Sequence, residues 1–168
     1  MSTQHVVVMG VSGSGKTTVA SGIAVAADFT FAEADDYHPE ANVTKMAAGE
    51  PLTDEDRWPW LADLATWMAN RAAEGISTVM ACSALRRSYR DVLRAGPPSV
   101  DFILVDGSAA VIRDRMGARK GHYMPVTLLD SQIATLEPLE ADESGLVLDV
   151  ALTPEELTRE AVAWLGIR

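Results

Sequence analysis

"MGVSGSGKTT", residues 9–18, is the stretch of sequence that decides the fold. The β-branched run "HVVVM" at 5–9 precedes it and predicts a buried strand, and the alanine-rich "TTVASGIAVAA" after it predicts a helix. The glycines between them stabilise neither element, because glycine loses the most backbone entropy on ordering. The sequence therefore predicts a strand, a tight loop and a helix, with a bound ligand accounting for the loop.

The loop matches the pattern G-x-x-x-x-G-K-[ST], with Gly10, Gly15, Lys16 and Thr17 at the fixed positions. In this pattern backbone N–H groups at a helix N-terminus point at phosphate oxygens, the lysine reaches the β- and γ-phosphates, and the hydroxyl contacts Mg²⁺. We therefore predict a site for a nucleoside triphosphate. Its residues in this loop are Gly10, Ser12, Gly13, Ser14, Gly15, Lys16, Thr17 and Thr18.

Three classes of protein use such a loop: small-molecule kinases, GTPase-type switches and ATPase motors. A GTPase-type switch carries an Asn-Lys-x-Asp motif that recognises the guanine base, and the sequence has no such motif. Asp106 at the end of "FILVD" can be read as a Walker B residue, although an aspartate before Gly107 is also ordinary turn chemistry. The length of 168 residues favours a kinase, because motors and switches usually need more elements for coupling.

The composition limits the classes of binding partner and the cellular compartment that we expect. The net charge of −10 argues against nucleic acid as the main partner. The single cysteine, Cys82, excludes an internal disulfide framework and is expected to be a buried small hydrophobe. No apolar run approaches the roughly 18 residues that cross a bilayer, and the first residues lack a secretory signal. We expect one cytoplasmic domain over residues 1–168 with no membrane partner.

The positive charges are unevenly placed, with many of them in residues 86–94 and 113–120. A protein of this net charge that handles anions still needs a local positive pocket, and these segments are the candidates. We expect three of the arginines, Arg90, Arg94 and Arg113, to lie on solvated helix faces instead.

Five short apolar runs alternate with helical patterns, which predicts an α/β fold with a parallel sheet covered on both faces. The predicted strands are 5–9, 29–34, 76–82, 101–107 and 145–150. Thr53 and Asp56, and later Thr153 and Glu156, have the spacing of capping boxes at helix starts. Pro59 is expected to restart its helix rather than lie inside it. The apolar stripe after it predicts core packing: Trp60, Leu61, Leu64, Trp67 and Met68.

"FAEADDYHPEAN" follows the second predicted strand, so its polar groups project from the edge of the sheet where ligands bind in α/β folds. A kinase acting on an alcohol needs a carboxylate that orients or receives the hydroxyl proton. Asp35 or Asp36 can supply it, although Asp36 can equally be a helix cap. His38 can bind substrate or be a packed imidazole.

The segments "GVSGSGKTT", "ADDYHPEANVTKMAAGEPLTDEDRWPWL", "CSALRRSYRDVLR" and "RKGHYM", in this order and spacing, resemble the gluconate kinase family. The resemblance covers about residues 5–165. It implies phosphorylation of the 6-hydroxyl of D-gluconate with ATP and Mg²⁺. It also suggests a homodimer.

The family is similar in architecture to shikimate kinases, which implies the strand order 2-3-1-4-5. The resemblance implies that Asp35 is the base, that Thr17 and Glu33 face the metal, and that Arg57 holds the substrate carboxylate. Glu33 departs from the aspartate common at its position. An arginine suits a carboxylate because it can form a bidentate pair, although Arg57 can also be a helix-turn partner of Asp54 or Asp56.

The remaining roles rest on the same resemblance. "CSAL" replaces a triple glycine of shikimate kinases and favours an open-chain polyol acid; its Ser83 is a substrate contact or a helix N-cap. A lid is expected at about residues 116–127, which would exclude water when closed. Arg115 and Pro154 would enclose the adenine, and Arg119 and Lys120 would cover the phosphates. The other predicted substrate contacts are Arg87, Lys120 and His122.

Overall fold

A computed structural model describes residues 3–118 and 126–166, with the backbone alone for 115–118 and 126–128. Five parallel strands form one sheet in the order β2-β3-β1-β4-β5, as predicted. The strands are β1 His5–Met9, β2 Thr30–Glu33, β3 Thr78–Ala81, β4 Asp101–Asp106 and β5 Gly145–Asp149.

The central strand shows that both faces of the sheet are covered. Every residue of β1 is buried, although successive side chains of a strand point to opposite faces. In the register, Val7 lies opposite Met80 of β3 on one side and Phe102 of β4 on the other. The prediction of a sheet between two helical layers is therefore confirmed.

Helices fill the connections between the strands, and a short 3₁₀ helix, Ala34–Tyr37, follows β2. In the part of the chain that is described, the α-helices are α1 Lys16–Ala27, α2 Glu40–Ala47, α3 Asp54–Ala73, α4 Arg87–Arg94, α5 Ala109–Ala118, α6 Val126–Thr135 and α7 Pro154–Leu165. Helix α1 packs against α7 and contacts β1, β2 and β3, while α3 packs against α4. None of the described helices has the length and apolar character that crossing a bilayer requires.

Helix α3 begins at the predicted capping box, since Thr53 accepts from the Asp56 N–H and the Asp56 carboxylate accepts from the Thr53 N–H. The prediction for Pro59 is wrong: the helix runs through it from Asp54 to Ala73. Proline removes the N–H that would bond the Glu55 carbonyl, but both residues are exposed, so water can satisfy that carbonyl.

The apolar stripe of α3 packs into the core as predicted, with Trp60, Leu61, Leu64 and Met68 buried and Trp67 partly buried against them. The prediction for Arg90 is wrong, because its side chain is fully buried. Its charge is compensated by Glu143, from the loop before β5, whose side chain is also fully buried. The prediction for Arg94 is also wrong, since its side chain is only 24% exposed and bonds the same carboxylate, whereas Arg113 is half exposed as expected.

Candidate active site

The loop between β1 and α1 is curled by its glycines. Gly10, Gly13 and Gly15 have φ of 145°, 82° and 94°, in the region that L side chains rarely adopt. A Cβ on Gly10 would lie 2.7 Å from the Val105 carbonyl oxygen and 2.8 Å from Ser14 Oγ, so a side chain is also excluded by space. The sequence motif therefore adopts the curled path that a phosphate cradle requires.

Donors remain available at the start of α1. Gly15 is the N-cap and supplies no side-chain cap, and an uncapped helix N-terminus presents unpaired N–H groups and partial positive charge. The Ser14 hydroxyl is buried with no hydrogen-bond partner among the described residues. These groups, with the Lys16 ammonium, suit the phosphates of a nucleotide.

Thr17 and Glu33 are joined directly: the threonine hydroxyl donates to Glu33 Oε2 at 2.6 Å. Partial burial raises the pKa of Glu33, and the nearby Asp35 charge adds to this, against the opposing effects of Thr17 and Lys16. No group of three metal-ligating side chains occurs in the part of the chain that is described. Mg²⁺ in phosphoryl-transfer sites needs only one or two protein ligands beside phosphate and water, so a hydroxyl and a carboxylate here fit that ion.

An open pocket lies beside the phosphate loop. Its volume is about 670 Å³, including the part open to solvent. The phosphate loop, the loops after β2 and β3, helix α6 and the segment from α2 to α3 all contribute side chains. The lining residues are Ser12, Lys16, Asp35, His38, Met46, Glu50, Pro51, Leu52, Arg57, Trp60, Ser83, Leu85, Ser131 and Gln132.

The structure separates the two candidate carboxylates of the loop after β2. Both lie in the 3₁₀ helix, but Asp35 lines the pocket together with Lys16 and is 51% exposed, whereas Asp36 is not a lining residue. Asp36 does not cap α2 either, since the N-cap is Pro39 and no side chain caps it. Of the two, only Asp35 can contact a ligand in the pocket directly.

His38 is held tightly at the edge of the pocket. Its ring stacks on Trp60 with centroids 4.0 Å apart, Nδ1 contacts Asn42 Nδ2 at 3.3 Å, and the side chain is 2% exposed. Nε2 lies 3.6 Å from Asp35 Oδ1, which places the imidazole beside the carboxylate. The imidazole is therefore packed, as one of the two sequence interpretations has it, and it also lines the pocket, as the other requires.

Arg57 enters the pocket from the first turns of α3. Its Nη1 donates to the Leu52 carbonyl at 2.7 Å and to the Tyr89 hydroxyl at 3.1 Å, and the guanidinium lies over the Tyr89 ring. Tyr89 in turn donates to Asp54, and its pKa is raised to about 12 by burial and by that hydrogen bond. These contacts fix the direction of the arginine.

The alternative role for Arg57, a helix-turn ion pair, is weak in the structure. The distance from Arg57 Nη1 to Asp54 Oδ1 is 3.9 Å. Asp56 pairs with Lys45 instead, at 2.8 Å, and that hydrogen bond lowers the pKa of Asp56 to about 2. Arg57 is therefore available to a ligand in the pocket.

Of the other predicted site residues whose side chains are described, Ser83 lines the pocket, whereas Arg87 and Pro154 do not. Ser83 lines the pocket, and it is not a helix N-cap, since Arg86 precedes α4. Arg87 is outside the lining, because its guanidinium bonds the carboxylates of Asp91, Glu140 and Asp142. Pro154 is exposed at the start of α7, away from the pocket. The side chain of Arg115 lies outside the described part of the chain, as do Arg119, Lys120 and His122.

Sequence reasoning missed several residues of the site, and two of the missed residues contact predicted ones. Gln132 of α6 lines the pocket, and its Oε1 accepts from the Ser12 N–H of the phosphate loop at 2.7 Å. Tyr89 orients Arg57 from α4. Neither residue stands out in the sequence, because a glutamine or tyrosine within a helical pattern carries no signal of a partner so far along the chain.

The chain is similar to known proteins over most of its length. The AAA domain family matches residues 6–139. A gluconokinase from Gluconobacter oxydans (strain 621H) is 45% identical over 159 residues, which cover 95% of this chain and 89% of that protein.

The chain belongs to the gluconokinase family.

Two crystal structures agree with this gluconokinase assignment. A gluconokinase from Sinorhizobium meliloti 1021 is 46% identical, with a TM-score of 0.87 and coverage of 97% of this chain and 91% of that one. An unliganded sugar kinase from Janibacter sp. HTCC2649 is 61% identical, with a TM-score of 0.96 and coverage of 98% and 95%. The architecture described above is thus that of a gluconokinase-family kinase.

Proposed function

We propose that this kinase transfers the γ-phosphoryl group of ATP to the 6-hydroxyl of D-gluconate, giving 6-phospho-D-gluconate and ADP. One observation carries the proposal: the Lys16 ammonium, the Asp35 carboxylate and the Arg57 guanidinium line one pocket beside the phosphate loop. The choice of gluconate as the substrate rests on gluconokinase relatives that are 40–46% identical over most of the chain.

Two residues act on the reacting groups. The Asp35 carboxylate accepts a hydrogen bond from the 6-hydroxyl and takes its proton as the oxygen attacks phosphorus. The Lys16 ammonium, with the N–H groups at the start of α1, stabilises the negative charge on the phosphates as the bond to ADP breaks. The transfer is direct and needs no covalent enzyme intermediate, which agrees with the burial of the single cysteine.

Arg57 anchors the other end of the substrate. Gluconate carries its carboxylate at the end of the chain opposite the 6-hydroxyl, so a cation that lines the same pocket as Asp35 can fix the orientation of the chain. The contacts of Arg57 with Leu52 and Tyr89 hold the guanidinium before substrate arrives, which reduces the entropy lost on binding. His38 and Ser83 line the same pocket and would contact hydroxyls of the substrate.

Thr17 and Glu33 would hold Mg²⁺, the hydroxyl directly and the carboxylate as its hydrogen-bond partner. The ion supplies charge neutralisation at the β- and γ-phosphates. The roles of Arg87, Arg115, Arg119, Lys120, His122 and Pro154 stay predictions, as do the lid at about 116–127, the homodimer and the cytoplasmic location.

A coupled assay of ADP release tests the function. Purified protein with ATP and Mg²⁺ should release ADP rapidly when D-gluconate is added and only slowly without it. ADP release with another sugar acid but not with gluconate would rule out gluconate as the substrate. The protein would still be a kinase. Slow release that no sugar acid accelerates would contradict the enzyme and favour a nucleotide-binding switch.

A further inference from the structure

The segment after β3 contains a residue in an unusual backbone conformation. Ala84 has a φ of +46° and is buried. Only one other non-glycine residue in the described part of the chain has a positive φ, and that is Asp28, the C-cap of α1. Aspartate tolerates the left-handed region because its short polar side chain bonds locally, whereas alanine has no such compensation. Ala84 therefore stays in this conformation because its surroundings hold it there.

The neighbours of Ala84 are part of the active-site wall. Ser83 and Leu85 both line the pocket. The Ser83 carbonyl accepts from the Gly10 N–H of the phosphate loop at 3.3 Å, and the Leu85 carbonyl accepts from the Glu137 N–H at 2.7 Å. A change of the Ala84 backbone would rotate the peptide groups on either side and move both lining residues.

Arg90 is the side chain that holds Ala84. Its Nη1 donates to the Ala84 carbonyl at 3.0 Å, and its Nη2 donates to the Pro138 carbonyl at 3.3 Å. Nε and Nη2 form a bidentate pair with the two Glu143 oxygens, at 2.7 and 2.9 Å. Both side chains are fully buried. A planar guanidinium can reach all four acceptors at once, which the single ammonium of lysine cannot do.

We propose that Arg90, clamped by Glu143, is a positioning residue that keeps Ala84 in its left-handed conformation and so fixes Ser83 and Leu85 as the wall of the acceptor pocket. A buried ion pair is weak support for stability, because desolvation offsets much of the attraction. The hydrogen bond from Arg90 to the carbonyl of the strained Ala84, between two lining residues of the pocket, gives this ion pair a second role. The part of the proposal that concerns the acceptor rests on the proposed gluconate kinase function.

Arg90→Lys keeps the buried charge and loses the bond to Ala84. We expect the KM for gluconate to rise on the order of tenfold, as for the loss of a hydrogen bond to a charged group. The kcat should stay within about threefold, because Asp35 and Lys16 lie on other elements, the 3₁₀ helix after β2 and helix α1. The matched control is Arg94→Lys. Arg94 also bonds Glu143, at 2.9 Å, and its other hydrogen bond goes to the Asp91 carboxylate rather than to a carbonyl of the segment. The Arg94→Lys variant should therefore leave the KM for gluconate and kcat unchanged.

A rescue variant separates positioning from stability. Glycine adopts a positive φ without strain, so Ala84→Gly in the Arg90→Lys background should bring the KM for gluconate back toward the wild-type value. Ala84→Gly alone should change it little. A KM that is unchanged in Arg90→Lys, equally raised in Arg94→Lys, or not restored by Ala84→Gly would overturn the proposal.

Two further measurements keep the test decisive. If Arg90→Lys does not fold, Glu143→Gln replaces it, since it weakens the clamp without changing Arg90; a normal KM in that variant would count against the clamp. Amide hydrogen exchange by mass spectrometry over residues 82–86 should be faster in the Arg90 or Glu143 variant than in Arg94→Lys, and equal rates would overturn the proposal. Exchange needs no substrate, so failure of the gluconate assay in the wild type would be distinguishable from failure of the clamp.

Discussion

At the scale of single residues, the loop after β2 offers two adjacent carboxylates, and only Asp35 lines the pocket. Asp35→Asn keeps the shape of the side chain and removes its ability to take a proton. We expect kcat to fall by about 10²- to 10⁴-fold with nucleotide affinity preserved, since this is the range of a lost general base. Steady-state ADP release and nucleotide titration by calorimetry measure the two effects. Asp36→Asn is the control, and equal losses in both variants would contradict the assignment.

A second residue-scale prediction concerns Arg57. Arg57→Lys keeps the charge and loses the planar fork that pairs with a carboxylate, so the KM for gluconate should rise about tenfold or more while the KM for ATP stays the same. Arg86→Lys is a close control, because Arg86 Nη1 lies 3.9 Å from Asp54, as Arg57 Nη1 does, and Arg86 is not a lining residue. A change confined to the KM for ATP would show that Arg57 serves the nucleotide instead.

Which residues could be identified from the sequence depends on how local their signal is. The phosphate loop was recognisable because its glycines, lysine and threonine are contiguous and each has a chemical reason. Arg90 was misjudged as a solvated side chain because its partner, Glu143, lies 53 positions away. A buried ion pair of this kind depends on a helix, α4, meeting a loop, the one before β5, and the sequence of neither segment indicates the other.

At the scale of elements, the start of α3 couples stability to substrate binding. Thr53→Ala removes the capping box and should lower the free energy of unfolding by about 1 kcal/mol. It should also raise the KM for gluconate, because Arg57 lies on the second turn and its N–H bonds the Thr53 carbonyl. Thr153→Ala removes the corresponding capping box of α7 and is the control. Urea unfolding and kinetics should show similar stability losses and a changed KM only for Thr53→Ala.

Strands and helices followed their patterns closely, and the exceptions have local causes. The predicted strand at 29–34 ends at Glu33 in the structure, because Ala34–Tyr37 turn into a 3₁₀ helix that brings Asp35 to the pocket. Pro59 did not interrupt α3, since the carbonyl deprived of a donor faces solvent. Propensity rules describe a residue in an average setting, whereas the exposure of Glu55 and Pro59 removes much of the usual cost of a proline inside a helix.

At the scale of the whole molecule, acid should weaken the fold through Glu143. Burial opposes its charge, but hydrogen bonds from Arg90, the Glu140 backbone and Arg94 outweigh it and lower the pKa from 4.5 to about 2. A carboxyl whose pKa is lower in the folded state stabilises the fold fully above its unfolded pKa. That contribution is lost as the pH falls from about 4.5 to about 2.

The comparison with Glu143→Gln isolates this contribution from the other carboxylates. The difference in unfolding free energy between the wild type and the variant should be largest near pH 7 and should shrink as the pH falls below about 4.5. Urea denaturation at several pH values measures it. A difference that is independent of pH would mean that Glu143 is not ionised in the folded protein.

The burial of Cys82 gives this chain a property that its activity does not need. Burial raises the pKa of the thiol to about 12, so the reactive thiolate is scarce, and the side chain is covered by the sheet at the end of β3. Because Cys82 is the sole cysteine of the sequence, the native fold should react only slowly with thiol-specific reagents. Modification of this sulfur would instead require the central sheet to open. The rate at which a thiol reagent labels Cys82 would therefore report how often the native protein unfolds.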